Sequence, residues 1–137
     1  MQSLKYLTKS RHYSPSSTRN EVWIMQKNIS DRIRNSKKCH ELRQDLLDQL
    51  RAANMDTAVN RDLVEDYISL WVIKQWVIID IRTRGPVITY NNGGGQSGTK
   101  ENPSIAYQLK LSSQMLKILK QLGLSGENVA GDGLDGL

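Results

Sequence analysis

Residues 58–86 run AVNRDLVEDYISLWVIKQWVIIDIRTRGP, and this stretch decides the fold. The Gly85-Pro86 pair that closes it is a helix terminator, because glycine favours the position just beyond a helix and proline cannot continue one. Before that stop, apolar residues recur at helical spacing. The stretch therefore predicts one helix over residues 58–84, roughly 40 Å long at about 1.5 Å per residue, with Asp56 or Thr57 as its N-cap.

The apolar side of this helix is wide, since two adjoining faces carry large apolar residues. A helix with so wide an apolar arc must contact more than one neighbour. One neighbour is the last helix of the same chain, and the other is more naturally a neighbouring subunit. We therefore expect a cyclic homo-oligomer whose heterologous contacts bury Trp71, Val72 and Ile79. The alternative is a central helix in a monomeric bundle.

The chain beyond the stop predicts an extended segment followed by a loop. Val87–Tyr90 is rich in β-forming residues and predicts a short strand, whereas the glycine-rich residues 91–100 predict a flexible loop. The triple glycine lacks the Gly-x4-Gly-Lys-Ser/Thr spacing of a phosphate-binding loop, so nucleotide binding is not expected.

A last helix has clear boundaries. Asn102 is a good N-cap, Pro103 suits the first helical position, and Gly123 suits the C-terminal cap. Between them a seam recurs at the coiled-coil-like spacings of 4, 3, 4 and 3, formed by Ile105, Leu109, Ser112, Leu116 and Leu119. The two long helices are expected to form an antiparallel helical hairpin.

Two amphipathic helices are predicted ahead of the hairpin. Ser17 or Thr18 caps a helix that begins near Arg19, and a second helical run covers Glu41–Asn54. The pattern leaves open whether the two are continuous or broken near Ser36. The predicted fold class is therefore all-α, with N-terminal helices and a long hairpin that contains a short extended segment and a Gly-rich loop.

Charge divides the 137-residue chain into three parts. Residues 1–38 hold nine Lys/Arg and two acids (+7), residues 39–124 are +1, and residues 125–137 are −3. We assign them as a basic N-terminal arm with the first helix, a helical oligomerisation core and a flexible acidic tail. A strongly basic segment favours a polyanionic partner such as DNA. The alternative is an arm that serves only solubility.

The basic residues form two candidate DNA-binding sets. The preferred set lies in residues 1–38, where few acids offset it, and comprises Lys5, Lys9, Arg11, Arg19, Lys27, Arg32, Arg34, Lys37 and Lys38. The secondary set lies on the hairpin, where it would line a channel or rim of a ring, and comprises Arg82, Arg84, Lys110, Lys117 and Lys120. In the acidic tail, Val129, Leu134 and Leu137 are candidate docking residues for a protein partner.

The residues do not predict catalytic chemistry, a metal site or a cofactor. Cys39 is the only cysteine, and His12 and His40 are the only histidines, so neither a Cys-x2-Cys zinc site nor a catalytic triad can be argued. The acids at 62, 65 and 66 are expected to form a solvated helix face. The most apolar stretch, residues 67–81, is interrupted by polar and charged residues and is shorter than the about 20 residues of a membrane span.

An ordered set of features carries a family resemblance. It consists of the extended piece and glycine-rich loop at residues 87–95, Lys-Glu-Asn-Pro at 100–103 and Leu-Gly-Leu-Ser at 122–125. In these features the segment from about 42 to 125 resembles a family of phage terminase small subunits. Residues 1–38 align with nothing in that family, and its members usually continue with a basic or neutral segment where this tail is acidic.

The resemblance implies a ring of about eight to eleven copies that binds double-stranded viral DNA and recruits the terminase large subunit. The setting would be the cytoplasm of an infected bacterium. It also implies that this chain is not an enzyme, since the ATPase and nuclease belong to the large subunit. Two alternatives remain from the residues: a small dimeric helical DNA-binding regulator, and a structural helical adaptor without nucleic acid.

Overall fold

The computed structural model describes residues 18–124 of the chain. Within them lie four α-helices and one β-hairpin: α1 Arg19–Arg34, α2 Lys37–Ala52, α3 Ala58–Arg84, β1 Val87–Asn91, β2 Ser97–Glu101 and α4 Pro103–Gln121. The predictions for residues 1–17 and for the acidic tail lie outside the described residues.

The two short helices, α1 and α2, are separate, which decides the point that the sequence left open. The Ser36 side chain donates a hydrogen bond to the Ile33 carbonyl at 2.7 Å and accepts one from the Cys39 backbone N–H at 3.3 Å. One serine thus closes α1 and caps α2. The predicted start of α2 at Glu41 was wrong, because the helix begins directly after this cap.

Helix α3 has the bounds that the sequence predicts. Thr57 is its N-cap, and its hydroxyl accepts a hydrogen bond from the Asn60 backbone N–H at 3.2 Å. The helix ends at Gly85, whose φ of 81° is a left-handed conformation that residues with a side chain rarely adopt.

Helix α4 also begins and ends where predicted, behind the Asn102 cap and before Gly123. Its last turn closes with backbone hydrogen bonds from Gly123 to Lys120 at 3.1 Å and from Leu124 to Leu119 at 2.9 Å. This pairing is a Schellman motif, which satisfies carbonyl groups that the helix end would leave unpaired.

The chain between the long helices folds as a β-hairpin, so the all-α prediction was incomplete. The predicted strand at Val87–Tyr90 forms, but residues 97–101 pair with it antiparallel instead of remaining a loop. All three glycines at 93–95 take positive φ, which reverses the chain within a few residues. Ser-Gly-Thr-Lys-Glu has little β-propensity of its own. Its extended conformation is stabilised by antiparallel pairing with β1.

Helix α3 lies at the centre of the core. Its buried residues Val64, Ile68, Trp71 and Val72 cluster with buried residues of the other helices: Ile33, Cys39, Leu46, Leu50, Met115 and Leu122. Of the predicted seam of α4, Leu119 packs against this core, beside Met115 and Ile118. Leu109 and Leu116 of that seam are 69% and 66% exposed, so part of the apolar surface of α4 remains uncovered in the single chain.

Candidate nucleic-acid interface

Helix α1 carries the basic face, and two side-chain hydrogen bonds hold it against α3. The Trp76 indole Nε1 donates to Ser30 Oγ at 2.8 Å, and Arg34 Nη2 donates to Ser69 Oγ at 3.3 Å. Both bonds lie near the C-terminal half of α1, where Ile33 is buried in the core. The N-terminal half is exposed and begins with a capping box at Thr18.

The described part of the preferred DNA-binding set lies largely in solvent. Exposed are Arg19, Lys27, Arg32, Lys37 and Lys38. Lys37 pairs weakly with Glu41 at 3.5 Å, a surface contact of little energetic weight. Arg34 is half-buried and bonded to Ser69, so it holds α1 in place rather than facing solvent freely. The remaining members, Lys5, Lys9 and Arg11, lie outside the described residues.

An exposed aromatic residue lies among these cations, which the sequence argument missed. Trp23 is 61% exposed, and Lys27 Nζ lies 5.4 Å from the centroid of its ring. Ile24 beside it is 51% exposed. The residues of α1 that pack in the core or bond to α3 are Ile29, Ser30, Ile33 and Arg34, all in its last turns. The face therefore combines positive charge with one large flat side chain.

The secondary set is divided between two environments. Lys110, Lys117 and Lys120 are exposed on α4, a helix that has no acidic residue, and Arg82 is exposed at the end of α3. Lys110 Nζ lies 5.9 Å from the centroid of the Tyr107 ring. Arg84 differs from the others, because both its Nε and Nη2 donate to the Asp80 carboxylate at 2.6 Å.

A polar network around Asp80 joins the end of α3 to the start of α4. Asp80 Oδ2 accepts hydrogen bonds from Ser104 Oγ at 2.6 Å and from Asn102 Nδ2 at 3.1 Å, besides those from Arg84. Asn102 is fully buried, and its Nδ2 also donates to the Gly85 carbonyl at 3.0 Å. The network holds the C-terminal end of α3 beside the N-terminal end of α4, where the two long helices come together.

The hydrogen bonds to Asp80 change its acidity. They come foremost from Arg84, with Ser104 and Asn102 adding to them, and they lower the pKa of Asp80 from the usual 3.8 to about 2 despite partial burial. The same pairing raises the pKa of Arg84. Sequence reasoning assigned Asp80 no role and placed Arg84 among the secondary DNA-binding candidates. The available signal was Asn-Pro-Ser at 102–104, whose Asn and Ser both contact Asp80.

The structure places the predicted subunit-contact residues mainly inside the protomer. Trp71 and Val72 are 9% and 5% exposed in the core of the chain, and Ile79 is packed against that core and partly buried. Little surface of Trp71 or Val72 is exposed for contact with a neighbouring subunit. A charge introduced at either position would therefore disturb the core of the protomer itself. Their contact with another subunit stays a prediction. The docking candidates Val129, Leu134 and Leu137 lie outside the described residues.

Other reactive groups in residues 18–124 do not form a site. Cys39 is buried, and burial raises the pKa of its thiol. No group of three or more His, Cys, Asp or Glu in this part of the chain is placed to hold a metal ion. None of the described helices is both long and apolar enough to cross a membrane.

The fold and this surface define a small helical protein whose two long antiparallel helices carry a separate basic helix. The family model for the phage terminase small subunit matches residues 40–130, which is more than half of the chain. The chain belongs to this family, and its role is in phage DNA packaging, with viral DNA and the large terminase subunit as the partners that the family implies. No curated protein and no solved structure matches the chain.

The family match covers the two long helices but not the basic helix α1. Its range, residues 40–130, contains the two long helices and the hairpin between them, as the resemblance predicted. The matched range begins after α1, so the family match does not support a role for the basic face of that helix. The family is generally non-catalytic.

Proposed function

We propose that this small subunit binds double-stranded viral DNA through the basic N-terminal arm and the exposed face of α1. The carrying observation is that Arg19, Lys27 and Arg32 of α1, with Lys38 in the first turn of α2, are exposed and have no ion-pair partner within residues 18–124. Cations free of intramolecular pairs are available to neutralise phosphates and release counterions. Trp23, beside Lys27, would add apolar contact with the sugar or base edges.

The arm is preferred over the secondary set because of its charge balance. Residues 1–38 carry +7, whereas residues 39–124 carry +1. Within the secondary set, Arg84 is already engaged by Asp80. Phosphate contacts fix position without reading sequence, so this face would supply affinity, and recognition of a particular site would need further contacts to bases.

The test is a variant in which Arg19, Lys27, Arg32 and Lys38 are all replaced by Gln. Arg34 is kept, because it holds α1 on α3. We expect at least about tenfold weaker binding to duplex DNA, and a log–log salt slope that falls by about 0.9 for each phosphate that the variant no longer neutralises. Both are measured by titration across a salt series.

The comparison variant replaces Arg82, Lys110, Lys117 and Lys120 by Gln, which removes the same charge. It is expected to lose less affinity than the α1 variant when particles of equal native mass are compared. If the α1 variant binds duplex DNA with unchanged affinity and salt slope, the four replaced cations do not carry the DNA.

The same proposal includes a ring of about eight to eleven copies. Single-chain contacts to DNA would be weak, and a ring multiplies them through effective concentration. The uncovered apolar residues of α4 support assembly, because they remain exposed in the single chain. A monomeric adaptor would leave the same residues in water.

The ring would present DNA to the large subunit, which carries the ATPase and nuclease, while this chain performs no catalysis. We assign recruitment to the acidic tail, where Val129, Leu134 and Leu137 stand among three acids and four glycines in residues 125–137. Such composition is typical of short docking segments that order on binding. The setting is the cytoplasm of the infected bacterial host.

A further inference from the structure

The outer face of α4 combines exposed leucines with unpaired lysines. Leu109 and Leu116, seven residues apart, are 69% and 66% exposed. Lys110 and Lys117 follow them directly and form a parallel row on the adjacent side of the helix. No carboxylate within residues 18–124 pairs with either lysine, and α4 itself contains no acid. This face is apolar along one row and positive along the other.

Helix α3 exposes a stripe of the opposite character. Val59, Asp62, Asp66 and Ile73 recur at spacings of 3, 4 and 7, which places them along one side of the helix. Val59 and Ile73 are 70% and 48% exposed. Neighbouring acids are already engaged, since Glu65 pairs with Arg43 at 2.9 Å. Asp62 and Asp66 have no ion-pair partner within residues 18–124.

From these two faces we infer that the α4 face of one subunit (Leu109, Lys110, Leu116 and Lys117) docks on the α3 stripe of a second copy (Val59, Asp62, Asp66 and Ile73). The inference rests on the proposed cyclic assembly and names its contact. The α4 face offers apolar surface with two positive charges, and the α3 stripe offers apolar surface with two negative charges. Opposite charge favours contact between these two faces over contact between like faces.

The pairing of different faces decides the symmetry. Two α4 faces packed on each other would bring four lysines together, and two α3 stripes would bring four aspartates together. Like charges opposed in this way disfavour the wrong pairing. A contact between unlike faces is heterologous, and heterologous contacts close into rings when the rotation between copies permits. The faces thus favour a ring over a two-fold dimer.

The inference also changes the part assigned to Lys110 and Lys117. In the assembled particle their charges would be neutralised by aspartates of a neighbour rather than by phosphate. Fewer lysines of the two long helices would then be available to bind DNA. This agrees with the preference for α1 as the DNA-binding face.

The test is a pair of charge reversals in the full chain. One variant carries Lys110→Glu and Lys117→Glu, another carries Asp62→Lys and Asp66→Lys, and a third carries all four changes. Glu101→Lys, at an exposed carboxylate of β2, is the control. Native mass is measured for each variant alone and for an equimolar mixture of the first two, and circular dichroism checks that each is folded.

Each two-residue variant should lose the wild-type particle, because its faces then repel. The four-residue variant should restore it. The mixture should restore only particles with an even number of subunits, since the two variants must alternate around a closed ring. An α4-to-α4 contact would instead leave the first variant unaffected.

The inference is wrong if either two-residue variant keeps the wild-type particle, or if both lose it and neither the mixture nor the four-residue variant recovers it. If the wild-type chain is itself monomeric, the proposed ring fails before its contact is tested. Normal DNA binding by the assembled four-residue variant would separate this contact from the DNA-binding face.

Discussion

At the scale of single residues, Asp80 joins two helices through its side chain. It receives hydrogen bonds from Arg84, Asn102 and Ser104, and these groups come from the end of α3 and the start of α4. The carboxylate therefore connects two helices that are separated in the chain by the 18 residues 85–102.

The first prediction at this scale concerns Asp80→Asn. The variant keeps the size of the side chain but loses the charge, so we expect the free energy of unfolding to fall by about 1–3 kcal/mol. Asp31→Asn, at an exposed carboxylate of α1 with no side-chain partner among the described residues, should change it by less than about 0.5 kcal/mol. Both are measured by denaturant unfolding at equal protein concentration.

The pH dependence of stability gives an independent check. The pKa of Asp80 is lowered in the folded chain from 3.8 to about 2, so its stabilising effect is fully present above pH 4 and is lost as the pH falls towards 2. Asp80→Asn should therefore flatten the acid limb of the stability curve between pH 4 and pH 2. A wild-type acid limb in the variant would contradict the assigned role.

Caps and terminators were the residues that the sequence predicted best. Thr57, Asn102 and Gly123 act through backbone groups within four residues of themselves, so local sequence is enough to place them. The role of Asp80 was not predictable in the same way. Arg84 lies only four residues away, but Asn102 and Ser104 lie 22 and 24 residues away in the chain, and only the folded hairpin brings them to Asp80.

At the scale of elements, α1 is held more lightly than the hairpin of long helices. Its anchoring rests on buried Ile33 and on the bonds from Trp76 and Arg34. An element with little buried surface opens locally at lower cost than the core. The proposed DNA-binding face therefore lies on a helix whose attachment to α3 can be tested by a single substitution.

The prediction for this element concerns Ser30→Ala. Removing the hydroxyl leaves the Trp76 indole N–H without its acceptor, which costs about 1–3 kcal/mol for a group that is partly buried. Amide hydrogen exchange in α1 should accelerate while exchange in α3 and α4 is unchanged. Ser113→Ala, at an exposed position of α4, is the control. Unchanged exchange in α1 would show that this bond does not hold the helix.

The elements also show where pattern reasoning failed. The spacing of Ile105, Leu109, Ser112, Leu116 and Leu119 correctly identifies α4 as a helix with an apolar seam. The spacing does not say which members of the seam face the core: Leu119 packs there, whereas Leu109 and Leu116 stay exposed. Strand β2 was missed for a related reason. Its conformation depends on pairing with β1, and nothing in Ser-Gly-Thr-Lys-Glu alone predicts that pairing.

At the scale of the whole molecule, charge segregation organises the proposed function. In the proposal, the basic head binds DNA, the near-neutral body forms the ring and the acidic tail docks on the large subunit. Family membership supports the packaging role, whereas the three surfaces are proposed from the chain's own charges and exposed residues. The first and third surfaces are proposals from composition. The proposed assembly surface needed the structure, since Trp71 and Val72 are buried within the protomer.

The prediction for the tail is that deleting residues 126–137 abolishes co-purification with the large subunit. The deletion removes the three aliphatic residues and the acids around them, and it leaves every described residue in place. Native mass and DNA affinity should be unchanged, which controls for a general loss of structure. Co-purification at the wild-type level would remove the tail from the docking site.

The central claim, a closed ring that binds DNA, is tested most directly by native mass measurement of the wild-type protein, alone and with a short DNA duplex. The account predicts one discrete particle of about eight to eleven copies at micromolar concentration, which takes up the duplex without dissociating. A monomer or a dimer under both conditions would contradict it.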